Sequence, residues 1–156
     1  MSSELLTEMR PATAIDAEMI RALVHSAYAK WVLVTGREPL PMKVDYEKAV
    51  QEHQFDLAFV GARLVGLIET MLRDDCLWIE NVAVRPEEQG KGLGRSLLAH
   101  AERRAIEAGR GEIQLLTNAE FKANIALYEK CGYRTLKREP FMGGTTVFMG
   151  KRLSVR

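Results

Sequence analysis

Cysteine is scarce in this chain. Cys76 and Cys131 are the only two, far apart in sequence and with no CxxC or Cys/His cluster beside either. A structural zinc site needs four ligands at close spacing, so no metal site is expected. His25, His53 and His100 are scattered over helical-looking segments and are expected at the surface or half-buried rather than as ligands. An excess of one charge is also missing, because 22 Lys and Arg face 21 Asp and Glu for a net +1. That balance gives no broad field to attract nucleic acid or an anionic membrane. No apolar run approaches the ~20 residues a membrane helix needs. MSSELLTEMRPAT lacks a basic stretch followed by an apolar block, so no export signal is expected. The expectation is a cytoplasmic protein with reduced, buried thiols. What is present is ordinary for a globular chain: 47% apolar and 28% charged residues, with no repeat, low-complexity tract or linker. At 156 residues a single domain is expected, spanning 5–154.

Periodicity orders the elements. A short strand is expected around LLTEMRPAT. A helix follows from Ile15 to Val32, with Ile15, Met19, Ile20, Leu23, Val24, Ala27 and Trp31 at helical spacing and Asp16 suited to its start. Gly36, Pro39 and Pro41 break the pattern at 35–42, and DYEKAVQEH, 45–53, reads as a second helix. FDLAFV and LVGLIETML flank a turn near GAR as a hairpin. CLWIENVAV, 76–84, is apolar at nearly every position and is expected to be covered on both faces. Leu97, Leu98, Ala101, Ala105 and Ala108 mark one face of a helix over 95–108, with Gly109 at a left-handed cap. EIQLLT is a strand and NIALYEKCG a short helix ending at Gly132. YRTLKRE and TTVFMGKRL close the chain as strands around the turn at MGG. This order predicts an α/β fold: a mixed sheet with helices on both faces, in which strands 77–84 and 112–117 run parallel.

Between the third strand and the third helix stands EEQGKGLGRS, with glycine at 90, 92 and 94. Glycine costs roughly 0.5–1 kcal/mol relative to alanine inside a helix. A helix N-terminus, however, presents N–H groups without internal partners and partial positive charge, which together favour an anion. Glycines let a diphosphate approach those N–H groups, and Lys91 and Arg95 place cations at the rim. Two other phosphate loops do not fit. The dinucleotide fingerprint G-x-G-x-x-G would need glycine where Arg95 stands, and the P-loop would need one where Arg85 stands. The bland alternative is a tight turn without a ligand, for which three alternating glycines are more than is needed.

Gln89-Gly90-Lys91-Gly92-Leu93-Gly94 resembles the Q/R-x-x-G-x-G/A signature of the GCN5-related N-acetyltransferase (GNAT) superfamily. V-A-V-x-P precedes it, and N-x-x-L-Y-E-K-x-G-Y at 124–133 is similar to the second half of that family's acyl-CoA site. The match runs over about residues 76 to 134, whereas the N-terminal third resembles the family only weakly. The resemblance implies a central mixed sheet with a splayed parallel pair, and acetyl-CoA as cosubstrate. It implies that the diphosphate lies on the N–H groups of Gln89, Gly90, Lys91, Gly92, Leu93, Gly94 and Arg95. Val82, Ala83 and Val84 would bond the pantetheine arm, with the Val82 N–H facing the thioester oxygen. Tyr128 would contact the coenzyme and act as the acid. Asn118 and Asn124 would contact the pantetheine or diphosphate, although asparagine also caps helices well. Glu87 and Glu88 are expected to face solvent, since turning inward would repel the diphosphate.

The implied chemistry fits these residue types. An alkyl amine of pKa about 10.4 must lose a proton before it attacks, and a thiolate of pKa near 8.5 can take one from a phenol of pKa about 10. Tyr128 is either that phenol or a core tyrosine among Ile125, Leu127 and Cys131. Glu80, in a strand where an unpaired carboxylate is expensive, is the leading base; Glu69 and water are the alternatives. The acceptor is expected against the 33–46 loop and the last hairpin, with Trp31, Arg37, Met42 and Tyr46 as candidate lining. It is a small-molecule or protein amine. A homodimer is common in the family. The rival readings are a non-catalytic acyl-CoA sensor of the same fold, and transfer of a longer acyl group or to a hydroxyl.

Overall fold

The structure, a computed structural model, describes residues 7–154. Leu5 and Leu6, where the sequence starts the first strand, lie outside the described residues. Seven strands form one sheet in the order β1-β2-β3-β4-β5-β7-β6. They are β1 Thr7–Pro11, β2 Gln54–Val60, β3 Arg63–Leu72, β4 Leu77–Val84, β5 Glu112–Asn118, β6 Arg134–Phe141 and β7 Gly144–Arg152. The helices are α1 Ala17–Thr35, α2 Tyr46–Glu52, α3 Leu93–Glu107 and α4 Lys122–Lys130. The sheet is mostly antiparallel, and β4 and β5 pair in parallel, Leu77, Trp78 and Ile79 opposite Ile113, Gln114 and Leu115. The mixed α/β architecture and its parallel pair are those the sequence order implies.

The chain packs as two compact units. One takes in the chain up to Glu69 together with Asn81–Leu97; the other is Thr70–Glu80 with Leu98 onward. Two strands, β3 and β4, therefore contribute to both.

In the first unit, α1 buries Ile20, Leu23, Val24, Ala27 and Trp31 of the stripe its spacing foretells, with Tyr28 beside them, and Met19 is half-buried. The start of that stripe is different. Ile15 is 91% exposed, in a 3-10 turn over Ala14–Asp16, and Asp16 is buried instead. The Arg10 guanidinium donates to both Asp16 carboxylate oxygens at 2.9 and 3.0 Å, and the Thr13 N–H donates to Oδ2 at 2.8 Å. These bonds, led by Arg10, hold the carboxyl at about 2, below its ordinary 3.8. A depressed acid stabilises the fold above its unfolded pKa and loses that contribution as pH falls through the folded value. Asp16→Asn is accordingly expected to lower stability by about 2 kcal/mol at pH 7, with the gap to wild type closing as pH falls from about 4 toward 2. Urea unfolding across that range checks it.

Asp45 caps α2, its Oδ1 accepting from the N–H groups of Glu47 and Lys48. The break at 35–42 contains a 3-10 turn at Leu40–Lys43, which Pro39 and Pro41 tolerate because a first turn needs none of their missing N–H groups. On β3, Gly66 lets α3 approach closely: a Cβ there would stand 3.0 Å from Leu93 Cδ2, 3.2 Å from the Ala83 carbonyl oxygen and 3.3 Å from Leu97 Cδ1.

In the second unit, Leu98, Ala101 and Ala105 of α3 are fully buried, as are Ile113 of β5 and Val147 and Met149 of β7. Gly109 takes φ +76 just beyond α3, the left-handed conformation expected of it. β6 is an edge strand exposed along its whole length. Arg134, Lys137, Arg138, Glu139 and Pro140, with a register shift between Thr135 and Lys137, discourage pairing with another chain. Tyr133 donates to Glu102 at 3.1 Å and Lys151 pairs with the same carboxylate at 3.0 Å, tying β7 to α3.

Candidate functional site

β4 leads into the glycine loop and its end is anchored on β3. The Arg85 N–H donates to the Val65 carbonyl at 2.8 Å, and its Nε to the Leu64 carbonyl at 2.9 Å. A 3-10 turn at Pro86–Glu88 follows, and then Gly90 and Gly92 adopt φ +81 and +90. Only glycine takes these values without strain. The Gly92 carbonyl accepts the Ser96 N–H at 3.1 Å, which opens α3. The N–H groups of Leu93, Gly94 and Arg95 thus fall in a first turn whose donors have no intrahelical partners. A Cβ on Gly90 or Gly92 would meet nothing within 4 Å. Packing does not demand these glycines; the backbone twist does, and the space before them is open. Gly94 differs, lying inside the first turn of α3 and outside the left-handed region.

The loop's carboxylates have cationic partners. Arg63 holds Glu87 at 2.6 Å and Glu88 at 3.4 Å. Glu87 is exposed as expected, whereas Glu88 is half-buried because Arg63 and Lys91, the latter at 3.8 Å, both reach it. Arg95 is exposed. The Gln89 side chain bridges: its Nε2 donates to the Val84 carbonyl at 3.0 Å and its Oε1 accepts from Lys30 at 2.8 Å. The sequence signalled neither Arg63 nor Lys30, since each acts across more than twenty residues.

On β4 burial alternates past Ile79, so the expected cover on both faces stops there. Ala83 is buried; Val82 and Val84 are half-buried. Glu80 is exposed, with its Oε1 accepting from the Trp78 indole N–H at 2.9 Å. The carboxylate that looked buried in sequence stands in solvent, because the alternation of the strand turns it away from the apolar face. The buried polar residue of β4 is its neighbour Asn81. The buried glutamate is Glu69 on β3, whose Oε2 lies 2.6 Å from His53 Nδ1 at the end of α2.

The second unit holds Tyr128, Asn118 and Asn124. Tyr128 on α4 is buried, and desolvation pushes its phenol up to about 12. Its ring lies 6.0 Å from that of Tyr133, tilted by 56°. Asn118 ends β5 and is half-buried, with its Oδ1 accepting the Glu120 N–H at 2.8 Å as a turn former. Asn124 is the third residue of α4, not its start. Phe121 occupies the N-cap without a side-chain bond, so a capping role for Asn124 is excluded. Of the candidate acceptor lining, Trp31 and Tyr46 are buried, Met42 is half-buried and Arg37 is exposed.

Cys76 is buried and its thiol is pushed up to about 11, chiefly by burial; Cys131 is half-buried, and both are free. Among the described residues no group of three or more His, Cys, Asp or Glu could hold a metal, and no helix is long and apolar enough to cross a membrane.

The model of the acetyltransferase (GNAT) family matches residues 19–133. A mycothiol acetyltransferase of Catenulispora acidiphila is 34% identical over 86 residues, which are 51% of this chain and 27% of that protein. The uncharacterized N-acetyltransferase YvbK of Bacillus subtilis is 28% identical over 95 residues, 60% of this chain and 61% of that one. This chain thus spans less than two thirds of the length of either curated relative. Among solved structures, the PaiA N-acetyltransferase of Thermoplasma acidophilum in complex with coenzyme A superposes with a TM-score of 0.81. It is 20% identical, with 97% of this chain and 99% of that chain covered. The E. coli ribosomal-protein-S18-alanine N-acetyltransferase gives 0.74 at 19% identity, with 96% of each chain covered. At such identities these likenesses establish the fold. The family match takes in β4, the left-handed glycine loop and the helix that follows it, and this chain belongs to the acetyltransferase (GNAT) family.

Proposed function

We propose that this chain transfers an acetyl group from acetyl-CoA to a primary amine by direct attack in a ternary complex. The observation that carries the reading is the loop at Gly90 and Gly92, left-handed at both positions and open where side chains would otherwise stand. It opens directly onto the first turn of α3. In a member of this family, such a cradle suits the diphosphate of a coenzyme A thioester, and the N–H groups of residues 89–95 hold it. The coenzyme-bound PaiA structure supports the same donor. Val82, Ala83 and Val84 bond the pantetheine arm, and the Val82 N–H polarises the thioester oxygen. The Val84 carbonyl shares its capacity with Gln89, which a carbonyl with two lone pairs allows. Asn118 and Asn124 contact the coenzyme, and Tyr128 protonates the departing sulfur. Two free thiols suit a reducing compartment such as the cytoplasm.

Glu80 acts as the base through water, since its exposed carboxylate can pass the amine's proton to solvent. The expected result is that Glu80→Gln lowers kcat/KM by about 100-fold at neutral pH, within the range of general-base effects. Glu69→Gln is expected to weaken the fold by removing the partner of His53 while leaving kcat/KM within about threefold. Steady-state rates and urea unfolding of both variants separate the two carboxylates; a large rate loss in the Glu69 variant alone would transfer the role to it.

Release of free thiol from acetyl-CoA over a panel of small amines, amino acids, aminoglycosides and peptides tests the function. Turnover with an amine supports it. Tight coenzyme binding with no turnover on any acceptor would favour the sensor reading.

A further inference from the structure

A polar chain is buried inside the first unit, and the chemistry described so far does not use it. The Tyr28 hydroxyl donates to Asn81 Oδ1 at 2.6 Å. The Asn81 Nδ2 lies 3.5 Å from the Tyr46 hydroxyl, which donates in turn to the Pro41 carbonyl at 2.7 Å. The Tyr28 hydroxyl also stands 3.5 Å from the Val82 carbonyl. Asn81 is 4% exposed, Tyr46 2% and Tyr28 8%. Asparagine is disfavoured within strands, and an apolar residue of like volume would fill this place without polar demands. The arrangement is therefore costly for packing alone. What it gains is geometry, because satisfied buried networks rigidify what they touch.

It touches two pieces of main chain. One is the peptide at Val82, proposed above to face the thioester. The other is the Leu40–Lys43 turn, which packs against α1 but makes little main-chain bonding of its own. Pro39 and Pro41 have no N–H, the Met42 N–H closes a single turn on the Pro39 carbonyl at 3.0 Å, and Leu40 and Val44 are exposed. Tyr46, too deeply buried to meet an acceptor itself, instead ties this turn to β4.

We infer that Asn81 is a positioning residue: through Tyr28 and Tyr46 it sets the Val82 main chain and the Leu40–Lys43 turn in a fixed relation, aligning the amine acceptor with the thioester. This inference rests on the acetyltransferase reading. Its test uses Tyr46→Phe, Tyr28→Phe and the double variant of the full chain, all of which keep the ring packing. Coenzyme A affinity is measured by calorimetry, acceptor KM and kcat by thiol release, and amide exchange over residues 40–44 by mass spectrometry.

Tyr46→Phe is expected to raise acceptor KM about fivefold and speed exchange at 40–44 by a similar factor, the worth of one neutral hydrogen bond. Coenzyme A affinity stays within twofold. The double variant loses less in kcat/KM than the product of the single losses, because Asn81 links the two hydroxyls. Unchanged exchange in Tyr46→Phe overturns the tether. Unchanged acceptor KM, or strictly multiplicative single losses, overturns the positioning role while leaving the acetyltransferase reading intact. Absence of turnover by the wild type with every amine overturns that reading, and this inference with it.

Discussion

Gly92→Val is expected to weaken coenzyme A binding by about 100-fold. Two effects combine. At φ +90 a β-branched residue strains the main chain by about 1–3 kcal/mol, so the loop must leave its left-handed shape or be forced back into it to bind. The added side chain also fills the open space through which a diphosphate reaches the N–H groups of α3's first turn. Each 1.4 kcal/mol is tenfold in affinity, so the strain alone supplies much of the effect. Gly61→Val is the control. Gly61 also has a positive φ, +61, with nothing within 4 Å of its absent Cβ, but it sits in the turn between β2 and β3. That variant should lose comparable stability and keep its coenzyme affinity. Calorimetry on both separates a cradle from a strained turn.

Tyr128→Phe is expected to lower kcat by about 100-fold with coenzyme A affinity held within threefold, as for loss of a general acid. Burial raises the phenol to about 12 and thereby keeps it protonated throughout the neutral range. An acid must hold its proton to give it, so the upward shift preserves the active form as pH rises, and no alkaline loss of kcat below about pH 11 belongs to this group. The same shift makes it a weaker acid toward a thiolate of pKa near 8.5, so it first holds the sulfur by a hydrogen bond that strengthens as charge builds there, and completes the proton transfer late. Tyr133→Phe is the companion variant. Tyr133 packs against Tyr128 and donates to Glu102 at 3.1 Å; its loss should cost stability and leave kcat near wild type. Wild-type kcat in Tyr128→Phe, with chemistry rate-limiting, would retire Tyr128 as the acid.

The parts of this protein that could be read from sequence are those governed by local rules. The glycines at 90, 92 and 94 marked the loop by the side chains they lack, and the left-handed backbone at Gly90 and Gly92 adds a second reason for two of them; Gly109 marked the end of α3 as a left-handed cap. The stripe on α1 from Ile20 to Trp31 was legible because helical periodicity and burial coincide. Where two neighbouring polar residues interrupt a strand, local rules run out. Glu80 and Asn81 point to opposite faces of β4, and the apolar letters around them do not tell which is inside. The partners that decide it are distant: Tyr28 lies 53 positions from Asn81 and Tyr46 lies 35. Glu69 and His53 are likewise 16 positions apart, on a strand and at a helix end. Ile15 fitted the α1 stripe and is nevertheless exposed, because the Arg10 and Thr13 bonds draw Asp16 inward at the adjacent position. α4 begins two residues before Asn124 because Phe121, which offers no capping signal, precedes it.

The most direct measurement is a crystal structure of the wild-type chain with coenzyme A bound. The expected result is the diphosphate seated on the loop, with main-chain N–H groups from residues 89–95 within hydrogen-bond distance of its oxygens. A nucleotide bound elsewhere, with that loop bare, would contradict it.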